Sequence, residues 1–101
     1  MKNALLFGSA LLLALSAPPL LAGDAAAGKA KSATCAACHG VAGISPMDLW
    51  PNLAGQKKGY LIKQMKAFRD GTRVEPSMSP MAKPLTDADI ENLAEYYSTL
   101  K

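Results

Sequence analysis

Apolar residues recur at helical spacing in two stretches of the second half of the chain. In the last stretch one face carries Ile90, Leu93, Ala94, Tyr97 and Leu100, a period that predicts an amphipathic helix. Thr86 precedes this face as a good N-cap residue, and two aspartates follow it near the positive end of the helix. The pattern therefore predicts a C-terminal helix that opens at Thr86.

The other apolar stretch predicts a helix from Tyr60 to Arg69. Its apolar face carries Tyr60, Leu61, Met65 and Phe68, while basic residues occupy the opposite side. Gly71 follows the last periodic residue and is expected to end the helix. Near the start of the chain, the segment from Asp24 to about Ala37 is dense in Ala and Lys without proline, which predicts a first helix capped by Asp24.

Two segments rich in helix breakers separate these helices. Residues 40–56 contain repeated Gly and Pro and no sustained period, which indicates a loop. Residues 71–85 contain three prolines, which remove three amide donors and predict a rigid, irregular segment. No alternating pattern typical of strands occurs. The sequence predicts an all-α fold of three to four short helices, with long loops around a buried object.

The N-terminal residues have the order of a secretory signal peptide. Lys2 is followed by an almost unbroken apolar run from Ala4 to Leu15, and then by small residues up to Ala22. The apolar run is shorter than the roughly 18–20 residues that cross a bilayer. We expect a signal peptide at residues 1–22, a domain at residues 23–101 and export to the periplasm. An uncleaved anchor is the alternative.

Removal of the signal peptide leaves about 79 residues, a size at which apolar burial alone gives little stability. A cofactor or another staple is therefore expected to complete the core. The remaining chain is weakly basic, with ten Lys or Arg (Lys2 is one of the eleven in the whole sequence) against eight Asp or Glu. This balance is far from that of a nucleic-acid-binding domain.

The two cysteines and the single histidine lie together in Cys35-Ala36-Ala37-Cys38-His39. This C-x-x-C-H spacing is that of covalent haem attachment, in which two thiols bond the porphyrin and the adjacent imidazole ligates the iron. A Cys35–Cys38 disulfide, a zinc site and a Cu(I) site are the alternatives. Zinc usually takes four ligands where the chain offers three. Redox-active C-x-x-C pairs lie in a βαβ context that this chain lacks, and a Cu(I) site would leave the long loops with nothing to enclose.

A second axial ligand must come from another residue type, because the chain has no other histidine. Methionine is the usual partner of histidine in electron-transfer haem c. Met65 lies on an apolar helix face and Met47 follows His39 closely, so both are ranked low. Met78 and Met81 remain, and spacing alone does not choose between them.

The sequence resembles the class I c-type cytochromes, and within them one single-haem unit of the bacterial diheme periplasmic cytochromes. The resemblance covers nearly all of residues 23–101. It is carried by Gly23-Asp24-Ala25-Ala26-Ala27-Gly28-Lys29, Cys35 to Gly40, Pro51-Asn52-Leu53-Ala54-Gly55-Gln56, Tyr60-Leu61-Ile62-Lys63-Gln64-Met65, Met78-Ser79-Pro80-Met81 and Leu85-Thr86-Asp87-Ala88-Asp89-Ile90.

The resemblance implies the small class I cytochrome c fold and a set of haem contacts. Met78 would be the distal ligand and Met81 would pack beside the haem. The carbonyl of Pro46 would accept a hydrogen bond from His39, and Gly28 would allow the first and last helices to cross against Tyr96 or Tyr97. Three further residues are expected in the haem environment: Trp50, Leu53 and Tyr60.

These expectations describe an electron carrier. One motif predicts one haem c with His39 and Met78 as axial ligands, and two filled axial positions leave no site for a substrate. We expect no enzymatic activity, redox proteins as electron donor and acceptor (membrane respiratory complexes among the candidates), and a soluble monomer or weak dimer. A haem-based sensor or gas-binding module with a labile methionine is the alternative function.

Overall fold

A computed structural model describes residues 23–101 of the chain. The expected signal peptide, residues 1–22, lies outside the described residues. Within residues 23–101 the regular structure is helical throughout: α1 (Ala25–Lys31), a 3₁₀ turn (Ser32–Thr34), α2 (Ala36–His39), α3 (Lys58–Asp70), α4 (Met78–Ala82) and α5 (Asp87–Thr99). No helix in this part of the chain is long and apolar enough to span a membrane.

Helix α5 is the centre of the packing, since both α1 and α3 lie against it. Thr86 is its N-cap, as the sequence predicts, and Asp89 completes a capping box: the Asp89 amide donates to Thr86 Oγ1 and the Thr86 amide donates to Asp89 Oδ2, both at 3.0 Å. The bond from the Thr86 amide holds the pKa of Asp89 below its usual range. The predicted apolar face is buried at Ile90, Leu93, Ala94 and Tyr97.

A single apolar cluster forms the centre of the fold. Its buried members are Leu61, Leu93, Ala94, Tyr96 and Tyr97, and its partly buried members are Cys35, Leu53, Ile62, Met65, Leu85 and Leu100. Met65 therefore contributes to the core, as its position on the apolar face of α3 predicts. Cys35 at the edge of the cluster joins the core to the C-x-x-C-H motif.

Helix α3 ends where the sequence predicts. Gly71 has a φ of +87°, a left-handed conformation that favours glycine, and its amide caps the helix by donating to the Ala67 carbonyl. The Arg69 guanidinium then binds Asp87 Oδ1 at 2.7 Å and the Leu85 carbonyl at 3.3 Å. The bond from Arg69 to the Asp87 carboxylate lowers the pKa of Asp87. Both bonds tie the end of α3 to the end of the loop that contains α4.

The first helix is shorter than its composition predicts. It ends at Lys31 and gives way to a 3₁₀ turn, and a separate short helix, α2, then begins after Cys35 and contains Cys38. Ser32 Oγ donates to the Lys29 carbonyl at 2.6 Å, and the Cys35 amide donates to the Ser32 carbonyl at 2.8 Å. A serine hydroxyl that bonds the local backbone competes with the helical pattern, which explains the break.

The segment predicted as irregular, residues 71–85, contains the short helix α4. Pro80 is its third residue, where a helix has no internal partner for an amide, so the missing donor costs nothing there. The three prolines therefore allow one turn of helix inside an otherwise irregular loop.

Gly28 lies where α1 and α5 cross, as the resemblance implies. A Cβ at this position would collide with the backbone carbonyl of Asn92 and lie 2.8 Å from the Cβ of Tyr96. The Asp24 amide donates to Asn92 Oδ1 at 2.9 Å, which fixes the same crossing from the end of α1. Glycine is thus required for the close approach of the two helices.

We expect Gly28→Ala to lower the free energy of unfolding by about 1–3 kcal/mol, the usual cost of forcing an atom into a packed interface. Gly59→Ala is the matched control, because Gly59 is also helical and a Cβ there meets nothing within 4 Å. Guanidinium unfolding of the haem-loaded proteins, followed by circular dichroism, measures both effects. Equal stabilities of the two variants would show that the crossing tolerates a side chain.

Candidate haem attachment site

The C-x-x-C-H motif occupies one compact helical turn. Cys35 precedes α2 and His39 ends it, and the His39 amide donates to the Cys35 carbonyl at 3.0 Å. Gly40 then turns the chain away with a φ of +85°. Both thiols are free, so the turn presents two sulfur nucleophiles and one imidazole within five consecutive residues.

His39 is buried, with 7% of its surface exposed, and a hydrogen bond holds its ring. The His39 Nδ1 atom lies 2.8 Å from the carbonyl oxygen of Pro51. A carbonyl oxygen only accepts hydrogen bonds, so Nδ1 is the donor, and in the neutral imidazole the lone pair then lies on Nε2. This tautomer is the one that ligates a metal through Nε2, with the carbonyl orienting the ring.

The prediction that Pro46 supplies this carbonyl is wrong, because Pro51 does so. The Gly43 carbonyl accepts the amides of Leu53 and Ala54 at 2.8 and 3.0 Å, which folds the loop back on itself. The Ser45 amide donates to Asn52 Oδ1 at 2.7 Å and closes the same loop from within. These bonds bring Pro51 to the imidazole and leave Pro46 exposed.

The Cys35 thiol faces the apolar core. Burial raises the pKa of Cys35, and burial together with the neighbouring Cys35 raises the pKa of Tyr97. Leu53 packs against the same cluster as Cys35, and its place in the haem environment stays a prediction. Trp50 is half-buried in the loop, and its amide donates to the Met47 carbonyl at 3.2 Å.

Tyr60 is less enclosed than its place in the predicted apolar face of α3 suggests. It is 51% exposed, whereas Leu61 and Phe68 supply the buried face of this helix. The helix begins at Lys58, two residues before the predicted start, so Tyr60 lies in its first turn. Its predicted contact with the haem stays a prediction.

Both candidate distal ligands lie on α4. Met78 is its first residue and Met81 its fourth, and residues three apart share one side of a helix. Met78 is partly buried, whereas Met81 is more exposed, with 46% of its surface open to solvent. The Glu75 carboxylate accepts the Met78 amide at 2.6 Å and the Ser77 amide at 2.8 Å. Sequence reasoning missed both Glu75 and Pro51.

The donor set of this site fits haem c. Two free thiols flank a single helical turn, and the adjacent imidazole has one nitrogen bound by a carbonyl and the other available to a metal. Among residues 23–101, no three side chains of His, Cys, Asp or Glu are grouped so as to hold a bare metal ion. The arrangement is that of a c-type cytochrome.

Comparison with known proteins gives the family. The family model described as Cytochrome c matches residues 25–101. The chain is 44% identical over 99 residues to cytochrome c4 of Pseudomonas aeruginosa, an alignment that covers 98% of this chain and 49% of the relative. The chain therefore belongs to the cytochrome c family and resembles one single-haem unit of a cytochrome c4.

A smaller relative matches over nearly its whole length. Cytochrome c-554(548) of Halomonas halodenitrificans is 49% identical over 81 residues, which cover 77% of this chain and 98% of that protein. The crystal structure of reduced cytochrome c4 from Pseudomonas stutzeri superposes with a TM-score of 0.75 and 44% identity, over 79% of this chain and 47% of that one. The chain spans about half the length of the cytochrome c4 relatives it matches.

Family membership establishes three properties of the chain. It has the class I cytochrome c fold, its cofactor is covalently bound haem c, and it is a c-type cytochrome of electron transfer. Haem c supplies an iron centre that gains and loses one electron.

Proposed function

We propose that this chain is a single-haem electron carrier of the periplasm, with no catalytic activity of its own. Cys35 and Cys38 would bond the haem, and His39 and Met78 would be the two protein ligands of its iron. The hydrogen bond from His39 Nδ1 to the Pro51 carbonyl carries the proposal. It commits one imidazole nitrogen to the protein and frees the other for iron, beside two free thiols.

Burial and local hydrogen bonding support Met78 over Met81 as the distal ligand. Met78 is partly buried, and Glu75 fixes its amide. Met81 is more exposed, with 46% of its surface open to solvent. A ligand needs a backbone that keeps its position in both oxidation states. Met81 then lies one turn further along the same side of α4, where it packs beside the haem.

The residues around the site have supporting roles in electron transfer. Pro51 holds the proximal imidazole, while Leu53, Trp50 and Tyr60 contribute to the haem environment. A ligand set that is held in place changes little between oxidation states, which keeps the barrier to electron transfer low. Histidine with methionine places the potential towards the upper part of the range that axial ligands span.

The proposed partners are redox proteins, one as electron donor and one as electron acceptor. Nucleic acid is not among the proposed partners. One relative is named thiosulfate dehydrogenase electron acceptor, from Thiomonas intermedia, and is 47% identical over 77 residues, or 75% of this chain and 36% of that protein. This name supports a dehydrogenase as one class of electron donor. A membrane respiratory complex is a candidate acceptor, and the carrier itself acts as a soluble monomer or weak dimer.

A potentiometric titration tests the single-haem carrier. We expect one haem per chain, and a single wave that follows the Nernst equation for one electron. A pyridine haemochrome assay against protein concentration gives the haem count. Two waves of equal size, or two haems per chain, would contradict the proposal.

Export is proposed through a signal peptide at residues 1–22 that is cleaved to leave a domain at residues 23–101. We expect intact-protein mass spectrometry of the periplasmic fraction to give a chain that begins near Gly23 and carries one haem. An intact Met1 in soluble periplasmic protein would show that no cleavage occurs.

A further inference from the structure

The turn before α4 is held by a reciprocal set of hydrogen bonds around Glu75. The Glu75 carboxylate accepts the amides of Met78 at 2.6 Å and Ser77 at 2.8 Å through the same oxygen, Oε2. In return, the Glu75 amide donates to Ser79 Oγ at 3.0 Å, and the Ser79 amide donates to the Glu75 carbonyl at 2.8 Å. Four hydrogen bonds therefore join Glu75 to Met78 and its two neighbours, Ser77 and Ser79.

Glu75 takes the role that a helix usually gives to its N-cap residue. Ser77 is at the N-cap position of α4, but its side chain makes no capping bond. The first amides of a helix have no partner within the helix, and a carboxylate that accepts them forms charge-assisted bonds, which are stronger than neutral ones. The carboxylate thus supplies the cap from two residues further back.

Helix α4 depends on this cap more than a longer helix would. It has five residues, and Pro80 contributes no amide. A single helical turn is costly to nucleate and gains little from propagation. The position of the Met78 backbone is consequently set by Glu75 at its start, while Arg69 holds the far end of the loop through Leu85 and Asp87.

We propose that Glu75 is a positioning residue for the distal ligand. It fixes the first turn of α4 so that the Met78 thioether stays on the haem iron and seldom leaves it. The inference rests on the proposed assignment of Met78 as that ligand. In this role Glu75 helps to keep the sixth coordination position of the iron closed. A residue that only stabilises the fold would not have this effect.

Three variants test this role: Glu75→Ala, Glu75→Gln and the control Glu91→Ala. Glu75→Ala removes the acceptor, whereas glutamine keeps a carbonyl oxygen that can accept both amides. Glu91→Ala removes an equal charge from α5, where, among residues 23–101, the carboxylate makes a single ion pair, with Lys58 at 3.8 Å. The readouts are the near-infrared sulfur-to-iron band of the ferric protein and the rate of CO binding to the ferrous protein.

We expect Glu75→Ala to weaken the near-infrared band and to speed CO binding by about tenfold, roughly the effect of one charge-assisted hydrogen bond on an equilibrium. Glu75→Gln should restore most of both properties, and Glu91→Ala should match the wild type. A Glu75→Ala protein with the wild-type band and CO rate would overturn the inference, even if it unfolds at a lower temperature. So would a Glu91→Ala protein that behaves like Glu75→Ala.

Two further variants keep the outcomes distinct. Should Glu75→Ala yield no haem-loaded protein, Ser79→Ala removes the reciprocal bond to the Glu75 amide. Faster CO binding by that variant supports the inference, and an unchanged rate overturns it. If Met78→Ala keeps the near-infrared band, the ligand assignment fails and the role of Glu75 fails with it. If Met78→Ala loses the band and Glu75→Ala does not change it, only the role of Glu75 is wrong.

Discussion

Met78→Ala should abolish the near-infrared sulfur-to-iron band and lower the reduction potential by a sizeable part of the roughly 0.8 V range that axial ligands cover. The thioether favours the ferrous state, so its loss destabilises that state relative to the ferric one. The ferrous variant should also bind CO readily, because no protein ligand has to leave first. Absorption spectroscopy, a redox titration and CO mixing measure the three effects.

Met81→Ala is the matched control for this prediction. Both methionines belong to α4, but Met81 is 46% exposed. The variant should keep the band, and its cost in stability should fall below the about 2–5 kcal/mol of truncating a fully buried methionine. If Met81→Ala alone removes the band, Met81 is the ligand and Met78 is not, while the carrier function stands.

Replacement of both cysteines by alanine should abolish covalent attachment. Wild-type protein exported together with the haem-attachment machinery should stay red after denaturation and acid–acetone extraction, because thioether bonds survive both treatments. The double variant should lose its colour to the organic phase or accumulate without haem. Since so small a chain buries little apolar surface by itself, the variant should also be poorly folded.

His39→Ala separates attachment from ligation. This variant keeps both thiols, so any haem it carries should resist extraction while the normal low-spin spectrum is lost. Haem that is extractable from the wild type would refute the assignment of Cys35 and Cys38.

The parts of the fold that the sequence predicts are those specified by neighbouring residues. The N-cap at Thr86 needs only a local pattern, and so does the stop at Gly71. The C-x-x-C-H motif is contiguous, so its chemistry can be recognised without knowledge of the fold. The crossing at Gly28 is implied by the resemblance and not by a local pattern, because its partners on α5 lie more than sixty residues away in sequence.

The parts that the sequence does not predict depend on the backbone or on competing local bonds. Pro51 acts through its carbonyl, a group that every residue has, so nothing in the sequence marks it over Pro46. The break after Lys31 follows from a serine hydroxyl that bonds the backbone against the strong helix propensity of alanine. The turn of α4 depends on a side-chain cap supplied by Glu75 from outside the helix.

We propose that this chain is a carrier with both axial positions of the iron filled. The most direct test of this proposal is the rate at which CO binds to the ferrous wild-type protein near neutral pH. With Met78 as the proposed distal ligand, CO would have to displace a methionine whose amide is bound by Glu75 at the start of α4, in a loop that Arg69 closes at its far end. We expect slow, weak binding and a near-infrared band in the ferric protein. Rapid, tight binding of CO by the wild type would reveal an open coordination position, contradict the carrier function and favour a gas sensor.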